Sequence, residues 1–420
     1  MKTSIYYCML MSLTMMITSV SCNESDGPNE SGEKPAEYSI KLSARQKQAL
    51  NQSNDFAFDV LKAVNNENNN VLVSPYSLGQ ALAMLANGAV GETYDEISRA
   101  LKIGDDVTLD DINSYYAIMN TALTNSIKCS SKLAIANSLW LNKQYEGKIL
   151  EEYKIGMRSN FNAKVSALDF SESKSVDAIN NWSKEKTNGL IPNITKGLDP
   201  KTDVAILLNT LFFKGFWSYF PKKNTYNDIF RNQFDRNESV KMMKSDKCKL
   251  YGFSSDNELM VEFDYSGNAF QLLVIMPKKE KINSYIANLN GDRYNQLLTQ
   301  IVANESEVTM PKFKGSYNNQ LIAPLAKIGI KKAFSDDAQF GKISSSLGVC
   351  VTAVQQYTTI EVNEDGTTAV ASTKVDLGFT STGQLPKQFI IDHPFIYIIR
   401  ERTTGVILFI GKTQSLEGMQ

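Results

Sequence analysis

Apolar residues at helical spacing characterise the first part of the chain. In residues 54–64 they recur at every fourth position, as on one face of a helix. A serine directly before Pro75 combines a preferred helix cap with the residue favoured at the first helical position. This pattern predicts a helix that begins there and ends near Gly88 or Gly91. Residues 176–185 predict another helix.

Continuous apolar runs characterise the rest of the chain, and each predicts a strand that is buried on both faces. These runs are residues 204–213, 270–276, 395–399 and 406–410. The turn Thr403-Thr404-Gly405 separates the last two runs, which are therefore expected to form a hairpin. Because helices come first and strands later, without regular alternation, we predict an α+β fold with large antiparallel or mixed sheets.

One strand pattern lies where the surrounding sequence predicts an exposed loop. The pattern spans residues 364–377, and from Thr367 onward one set of alternate positions carries no charge, whereas the other set carries Lys374 and Asp376. The uncharged set is Thr367, Ala369, Ala371, Thr373, Val375 and Leu377. Since side chains alternate between the faces of a strand, one face of this segment suits a core. A flexible stretch follows at residues 378–386. We therefore predict a segment that changes position, first a loop and later a central strand.

The amino terminus carries the pattern of an export signal. Residues 1–21 combine a lysine with an apolar run that is too short to span a bilayer well. The segment that ends at Cys22 resembles a bacterial lipoprotein cleavage box, although serine replaces the usual leucine at its first position. Cys22 is thus expected to be the lipidated first residue of a mature cell-envelope protein, at the outer membrane or the cell surface. Ordinary signal cleavage, giving a secreted or periplasmic protein, is the alternative.

The remainder divides into a tether and one domain. Residues 22–38 are acidic and rich in Ser, Gly and Pro, which predicts a disordered tether. No linker or repeat interrupts residues 39–420, which predicts a single domain. The hydrophobic content of 42% is enough for a large core, and the net charge of −1 favours neither nucleic acid nor an acidic membrane surface as a partner. A lipid anchor would be its only link to a membrane.

Candidate catalytic and metal-binding residues are few. Outside the leader the cysteines are Cys129, Cys248 and Cys350, and their number and spacing favour neither a disulfide framework nor a zinc site. His393 is the only histidine, so a serine or cysteine hydrolase would have to use it. The chain has no nucleophile-elbow, metalloprotease or nucleotide-binding motif. We predict no enzyme activity, no cofactor and no metal site.

Seven short motifs occur in order along the folded part, at residues 70–78, 209–217, 310–313, 325–330, 361–369, 392–395 and 404–411. Together they resemble the landmarks of the serpin (serine protease inhibitor) family over residues 55–412. The most specific motif is EVNEDGTTA at residues 361–369, which is similar to the hinge of the family's reactive-centre loop. The resemblance implies three β-sheets, eight or nine helices and an exposed reactive-centre loop at about residues 364–386.

The resemblance also implies a suicide-substrate inhibitor of extracytoplasmic serine proteases. A protease attacks the loop and forms an acyl-enzyme, and the cut loop then inserts into the main sheet and carries the protease with it. The expected partner is a serine protease in a covalent complex, with papain-like cysteine proteases as a further class, and the inhibitor is expected to be a monomer. A non-inhibitory binding or carrier protein is the alternative, and a hydrolase is a third hypothesis.

The family's spacing from the hinge places the cut bond between Thr380 and Ser381. The bond between Phe379 and Thr380 is the alternative. A threonine suits the small S1 pocket of elastase-type proteases, and a phenylalanine suits chymotrypsin- or subtilisin-type pockets. Trypsin-like targets are disfavoured, because the nearest basic residue, Lys374, lies well inside the inserting strand.

Residue roles around the loop follow from the same resemblance. The hinge comprises Glu364, Gly366, Thr367, Ala369 and Ala371. Gly366 would let the backbone swing without a side-chain clash, and the small residues after it would enter the sheet first. Lys312 is expected to pair with Glu364, and Trp217 to cover the opening of the main sheet.

A central polar cluster is implied below the strands that part. Its members match Ser74, Ser77, Asn209 and Gln356. Gln356 occupies the family's usual histidine position, where it offers a donor and an acceptor but no titration near neutral pH. For the other three residues, a helix cap, a helix serine and a strand asparagine with local hydrogen bonds are the simpler alternative.

Overall fold

Local sequence signals account for most helix boundaries in the computed structural model, which describes residues 39–125, 131–189, 191–367 and 386–418. Its nine α-helices in these ranges are α1 (Ala44–Val64), α2 (Pro75–Gly88), α3 (Gly91–Ala100), α4 (Leu109–Asn125), α5 (Glu151–Phe161), α6 (Ser173–Lys186), α7 (Ile282–Asn288), α8 (Gly291–Thr299) and α9 (Ile322–Lys327). Short 3₁₀ helices cover Lys143–Lys148, Lys222–Asn224 and Lys332–Phe334.

Sixteen strands complete the described part of the chain. They are β1 (Val71–Val73), β2 (Ser131–Asn142), β3 (Lys164–Leu168), β4 (Ala205–Phe216), β5 (Tyr226–Arg231), β6 (Asn237–Lys244), β7 (Cys248–Ser254), β8 (Glu258–Asp264), β9 (Phe270–Pro277), β10 (Val302–Pro311), β11 (Phe313–Gln320), β12 (Gln355–Asn363), β13 (Gly366–Thr367), β14 (Lys387–Ile390), β15 (Phe395–Glu401) and β16 (Ile407–Thr413).

Capping explains where the predicted helices begin and end. The helix predicted over residues 54–64 starts earlier, at Ala44, because Ser43 and Gln46 form a capping box that satisfies backbone N–H groups at its start. α2 begins after Ser74, whose Oγ accepts a hydrogen bond from the Ser77 N–H, and it ends at Gly88. The helix predicted over residues 176–185 is α6, which is slightly longer at both ends.

The predicted strands are present, with one difference in burial. β9 is buried along its whole length, and β15 and β16 form the expected antiparallel hairpin. In β4, by contrast, the first five residues are only half-buried. In that half, Ile206 and Leu208 pack against a small second cluster and Ala205 and Leu207 pack against the main core, so both faces are covered but burial is incomplete.

The strands form two hydrogen-bonded sheets among the described residues. The larger sheet has ten strands in the order β1-β16-β15-β9-β8-β7-β10-β6-β5, with β14 paired to β10. The smaller sheet has the order β11-β12-β13-β4-β2-β3. Three sheets were expected, and two of them are joined here into the ten-stranded sheet. The junction is β10, which pairs with β7 through Val302–Ser306 and with β6 through Thr309–Pro311. The α+β class is confirmed.

α2 connects the two sheets, since it packs against both β4 and β16. Its start lies beside β12 and β4 of the six-stranded sheet, where the polar cluster was predicted, because Ser74 bonds to Gln356 and Ser77 bonds to Asn209. In the described ranges, no helix is long and apolar enough to cross a membrane. No group of His, Cys, Asp and Glu side chains in those ranges is arranged to hold a metal ion.

Several predictions concern residues outside the described ranges. These are the signal peptide, the tether with Cys22, Cys129, and the loop residues Ala369, Ala371, Phe379, Thr380 and Ser381.

Candidate functional site

The start of the predicted loop is already a strand of the six-stranded sheet. Thr367 in β13 lies opposite Val362 on β12 and Gly215 on β4, antiparallel to both. No ladder between described residues joins β12 to β4 directly, so β13 is what links these two strands. The loop was expected to be exposed from about Glu364, but Glu364, Gly366 and Thr367 are buried. Gly366 and Thr367 are small and uncharged, so they can be buried between β12 and β4.

Gly366 is the one position where the hinge requires glycine. Its φ is +123°, a backbone conformation that residues with a side chain rarely adopt. A Cβ at this position would lie 2.2 Å from the carbonyl oxygen of Gly215, which is backbone and has little room to move. The turn into β13 therefore depends on the missing side chain.

Lys312 and Glu364 form an ion pair at the base of the hinge, with Lys312 Nζ 2.8 Å from Glu364 Oε2. The Thr225 hydroxyl donates to Glu364 Oε1 at 2.7 Å. Burial by itself would raise the pKa of Glu364, but the hydrogen bonds from Lys312 and Thr225 outweigh it, so this pKa lies below its ordinary value. Next along the chain, Asp365 pairs with Lys222 at 2.8 Å. These pairs fix the backbone just before Gly366.

Glu364→Gln is expected to destabilise the protein by about 1 to 2 kcal/mol at pH 7, because the buried charge-assisted bonds to Lys312 and Thr225 are weakened. A carboxylate whose pKa is lowered by folding stabilises the native state above its unfolded pKa, and that stabilisation is lost as the pH falls through the folded pKa. The difference in melting temperature between wild type and variant should therefore shrink below about pH 4.

Thermal melts of both proteins from pH 3 to 7 measure this difference. Glu361→Gln is the matched control, because its pair with Lys314 is longer, at 3.5 Å, and Glu361 is 40% exposed. A loss of well under 1 kcal/mol is expected for that exposed pair. A Glu364→Gln effect that stays constant down to pH 3 would contradict the assignment.

Trp217 lies against the backbone of the hinge rather than at the surface. The residue is 2% exposed, and its Nε1 donates to the carbonyl oxygen of Asn363 at 3.0 Å. Its backbone N–H donates to the carbonyl of Asp365. The indole stacks on the ring of Tyr265 with an interplanar angle of 3°. Trp217 thus contacts the sheet opening that it was expected to cover.

Tyr265 is a site residue that the sequence did not indicate. It follows β8 directly, is fully buried, and its hydroxyl lies 2.5 Å from Thr367 Oγ1. Burial raises the pKa of Tyr265, and the hydrogen bond with Thr367 opposes that shift. No local pattern marks this tyrosine, because its contact is made across 102 residues of sequence.

The predicted polar cluster consists of two linked groups at the start of α2. On the β4 side, Ser77 Oγ donates to Asn209 Oδ1. Asn209 Nδ2 in turn donates to Asn137 Oδ1 at 2.5 Å and to Gln80 Oε1 at 2.9 Å. Asn137 and Gln80 were missed. Gln80 lies one helical turn after Ser77, a spacing that could have revealed it, whereas Asn137 requires knowledge of the strand register.

On the β12 side, the side-chain amide of Gln356 both accepts a hydrogen bond from the backbone of Ser74 and donates one to it. Gln356 Oε1 accepts from the Ser74 N–H at 2.8 Å, and Nε2 donates to the Ser74 carbonyl at 2.9 Å. The residue at the usual histidine position therefore joins β12 to the start of α2 through a donor and an acceptor. His393 lies elsewhere, with its Nδ1 2.6 Å from Asp392 Oδ1.

Comparison with known proteins decides the family. The sequence model of a protein family described as Serpin (serine protease inhibitor) matches residues 51–416 of the chain. The chain belongs to the serpin family. Iripin-2 from Ixodes ricinus is 32% identical to this serpin over 89% of the chain and 95% of its own length. The leukocyte elastase inhibitor of Sus scrofa is 30% identical over 86% of the chain and 97% of its own length.

Solved serpin structures agree with the fold. Native tengpin, a thermophilic serpin, superposes with a TM-score of 0.78 and is 30% identical, covering 90% of this chain and 95% of tengpin. Human thyroxine-binding globulin superposes with a TM-score of 0.78 at 26% identity, covering 89% of this chain and 100% of the globulin. The predicted family and fold are confirmed, whereas the roles of individual residues stay predictions.

Proposed function

We propose that this serpin is a suicide-substrate inhibitor of extracytoplasmic serine proteases with elastase-, subtilisin- or chymotrypsin-type specificity. The observation that carries the proposal is the position of Thr367, a small uncharged residue buried between β12 and β4. The sheet accepts the start of the loop as a strand that is antiparallel to both neighbours. A cleaved loop can continue this strand, and its alternate residues from Ala369 to Leu377 suit the buried face.

The chemical step uses the catalytic serine of the protease. Its Oγ attacks the carbonyl carbon of Thr380, the peptide bond to Ser381 breaks, and the new amino group of Ser381 leaves with the proton. An ester then ties the protease to the amino-terminal part of the loop. Cleavage at the alternative bond shifts the ester by one residue, to Phe379. Water would hydrolyse this ester in an ordinary substrate.

Insertion competes with that hydrolysis. Each residue that enters between β12 and β4 gains ladder hydrogen bonds to two neighbours, and one face of the segment becomes buried. The protease is drawn along the sheet with the ester still intact, away from the position in which it docked. A native state with room for one more central strand thus stores the free energy that traps the enzyme.

A carrier function is the second candidate, because thyroxine-binding globulin has the same fold. Bulky or charged hinge residues would favour it. Here the hinge sequence from Thr367 to Ala371 is Thr-Thr-Ala-Val-Ala. These uncharged residues favour an inserting hinge, and the leukocyte elastase inhibitors among the relatives are named as inhibitors. Inhibition is therefore the better supported function.

Incubation with elastase, subtilisin, chymotrypsin and papain tests the proposal, with trypsin as the comparison. We expect a complex that resists SDS with at least one protease of the first three, and little or none with trypsin. Mass spectrometry of the released carboxy-terminal peptide identifies the cut bond. Cleavage within residues 378–386 without any stable complex would favour the carrier function.

We further propose that the protein is exported and anchored by lipid on Cys22. The support is the apolar leader, the cleavage-box pattern and the acidic spacer that follows. Cys22→Ser is expected to move the protein from the membrane fraction to the soluble fraction, and to remove the acyl mass from the amino-terminal peptide. An unmodified amino terminus in the wild type would instead support ordinary secretion.

A further inference from the structure

A cavity of about 480 Å³ lies between the last turns of α4 and α5 and the middle of β2. Its volume is within the range of small-molecule sites in proteins, but the walls of such sites are mostly apolar. Here, among the described residues that line the cavity, seven of eleven are Asn, Ser or Thr, and only Arg158 is charged. The cavity therefore offers many hydrogen-bonding groups and little charge.

Asn120 lines this cavity and has an unused hydrogen-bond donor. The residue is 9% exposed, and its Oδ1 accepts from the Tyr76 hydroxyl at 2.8 Å. Its Nδ2 has no hydrogen-bond partner within the described part of the chain. By contrast, the buried Asn137, which also lines the cavity, donates to the Phe161 carbonyl and accepts from Asn209. An unpaired buried amide is unfavourable, so Asn120 indicates a ligand that supplies an acceptor atom.

The charges around the cavity do not favour an ion. Arg158 is already paired with Glu151, with 3.3 Å between its Nη1 and Glu151 Oε1. The last turns of α4 and α5 line the cavity, and the carboxy-terminal end of a helix carries a partial negative charge that disfavours an anion. The described lining residues include no carboxylate that could hold a cation. An apolar ligand would leave the amides and hydroxyls without partners, so a neutral polar ligand fits best.

We propose that this cavity binds a small saccharide, either a free sugar or the end residue of a glycan chain. The hydroxyl groups of a sugar donate and accept hydrogen bonds, as the amides and hydroxyls of the wall do. Phe161, the one aromatic residue among the described lining residues, is 1% exposed and gives the sugar no ring to stack on. Affinity is therefore expected to be weak, with a Kd of about 1 mM. The inference does not depend on protease inhibition.

Asn162 allows the site to be tested without disturbing the fold. It lines the cavity, is exposed, and ends α5 in the left-handed conformation, with a φ of +50°. Because glycine adopts this conformation without strain, Asn162→Gly removes the amide and keeps the turn. Asn188→Gly is the matched control, since Asn188 is also exposed, has a φ of +51° and follows α6 away from the cavity.

Saturation-transfer NMR of the full protein with glucose, galactose, mannose and N-acetylglucosamine tests the proposal. At least one of these sugars is expected to bind saturably, with a Kd of about 1 mM. Asn162→Gly and Asn120→Leu should each weaken binding about fivefold, because each removes a hydrogen bond to the sugar. Asn188→Gly should stay within about twofold of wild type. Asn120→Leu also removes the bond to Tyr76, so Asn162→Gly decides the result if that variant is unfolded.

Thermal melts distinguish binding in the cavity from the general effect of sugars on proteins. A bound sugar raises the melting temperature with a saturable dependence on its concentration, whereas exclusion of sugar from the protein surface gives a rise without saturation. The saturable part should be reduced in Asn162→Gly and retained in Asn188→Gly. A trisaccharide that ends in the selected sugar separates the two sources, because tighter binding than that of the free sugar indicates a glycan end.

Three results would overturn the proposal. The first is the absence of saturable binding of every sugar at about 20 times the expected Kd. The second is equal affinity in wild type and Asn162→Gly, which would show that the sugar binds elsewhere. The third is binding of sulfate or succinate, but of no sugar, that Arg158→Met abolishes, since this would make the cavity an anion site.

Discussion

Replacing Thr367 with arginine is expected to convert the protein from an inhibitor into a substrate. Thr367 is 1% exposed between β12 and β4, and an arginine there would bury an unpaired charge. Insertion of the cleaved loop would stall at its first residue, and water would hydrolyse the ester. Since about 1.4 kcal/mol changes a ratio of rates tenfold, the inhibitor consumed per protease trapped should rise from near one to more than about ten. Titration of a fixed amount of protease measures this ratio.

Thr368→Arg is the matched control for that experiment. Residue 368 belongs to the alternate set that would face away from the core, so a charge there can remain in water. Its titration ratio is expected to stay near that of the wild type. Stoichiometric trapping by Thr367→Arg would show that an uncharged residue at position 367 is not required for insertion of the cleaved loop, and the hinge would have to be assigned elsewhere.

Local signals in the sequence predicted the parts of the site that depend on neighbouring residues. The serine and proline at residues 74 and 75 gave the start of α2, and with it the position of Ser77 under β4. The alternation from Thr367 onward gave a strand, and the structure has Thr367 paired on both sides. The capping box that starts α1 at Ala44 is also a local signal, but the sequence pattern predicted this helix only from residue 54.

Contacts between distant segments could not be predicted in this way. The partner of Thr367 is a tyrosine in the turn after β8, and nothing within that turn distinguishes it from any other buried aromatic residue. Asn137 joins the polar cluster only because the register of β2 places it opposite Asn209. The number of separate sheets could not be predicted either, because β10 joins two of them by pairing with β7 along its first half and with β6 along its second half. Strand register and aromatic packing are set by the whole fold.

Both edges of the opening are fixed to the same helix end. Gln356 ties β12 to the backbone of Ser74, and Ser77 ties β4 through Asn209, with the two serines one helical turn apart. Separation of β12 from β4 must therefore stretch or break one of these two groups of hydrogen bonds. The cluster thus resists opening below the hinge, while β13 occupies the gap above it.

Cleavage of the loop within residues 378–386 is expected to raise the melting temperature by about 10 °C or more. Insertion of about ten residues, each worth about 1 kcal/mol in new ladder bonds, adds on the order of 10 kcal/mol to the free energy of unfolding. Unfolding entropy of about 2.1 cal/mol/K per residue, over about 380 residues, converts this into a shift of roughly 12 °C. Calorimetry of the intact and the nicked protein measures the shift.

The same nick in Thr367→Arg supplies the control, because its loop is cut but cannot enter the sheet. That nicked variant should melt close to its intact form, so the rise in the wild type would be caused by insertion rather than by cleavage itself. A nicked wild type that melts no higher than the intact protein would mean that the native state stores no free energy for trapping. The carrier function would then be the better account of a serpin whose sheet holds Thr367 but admits nothing further.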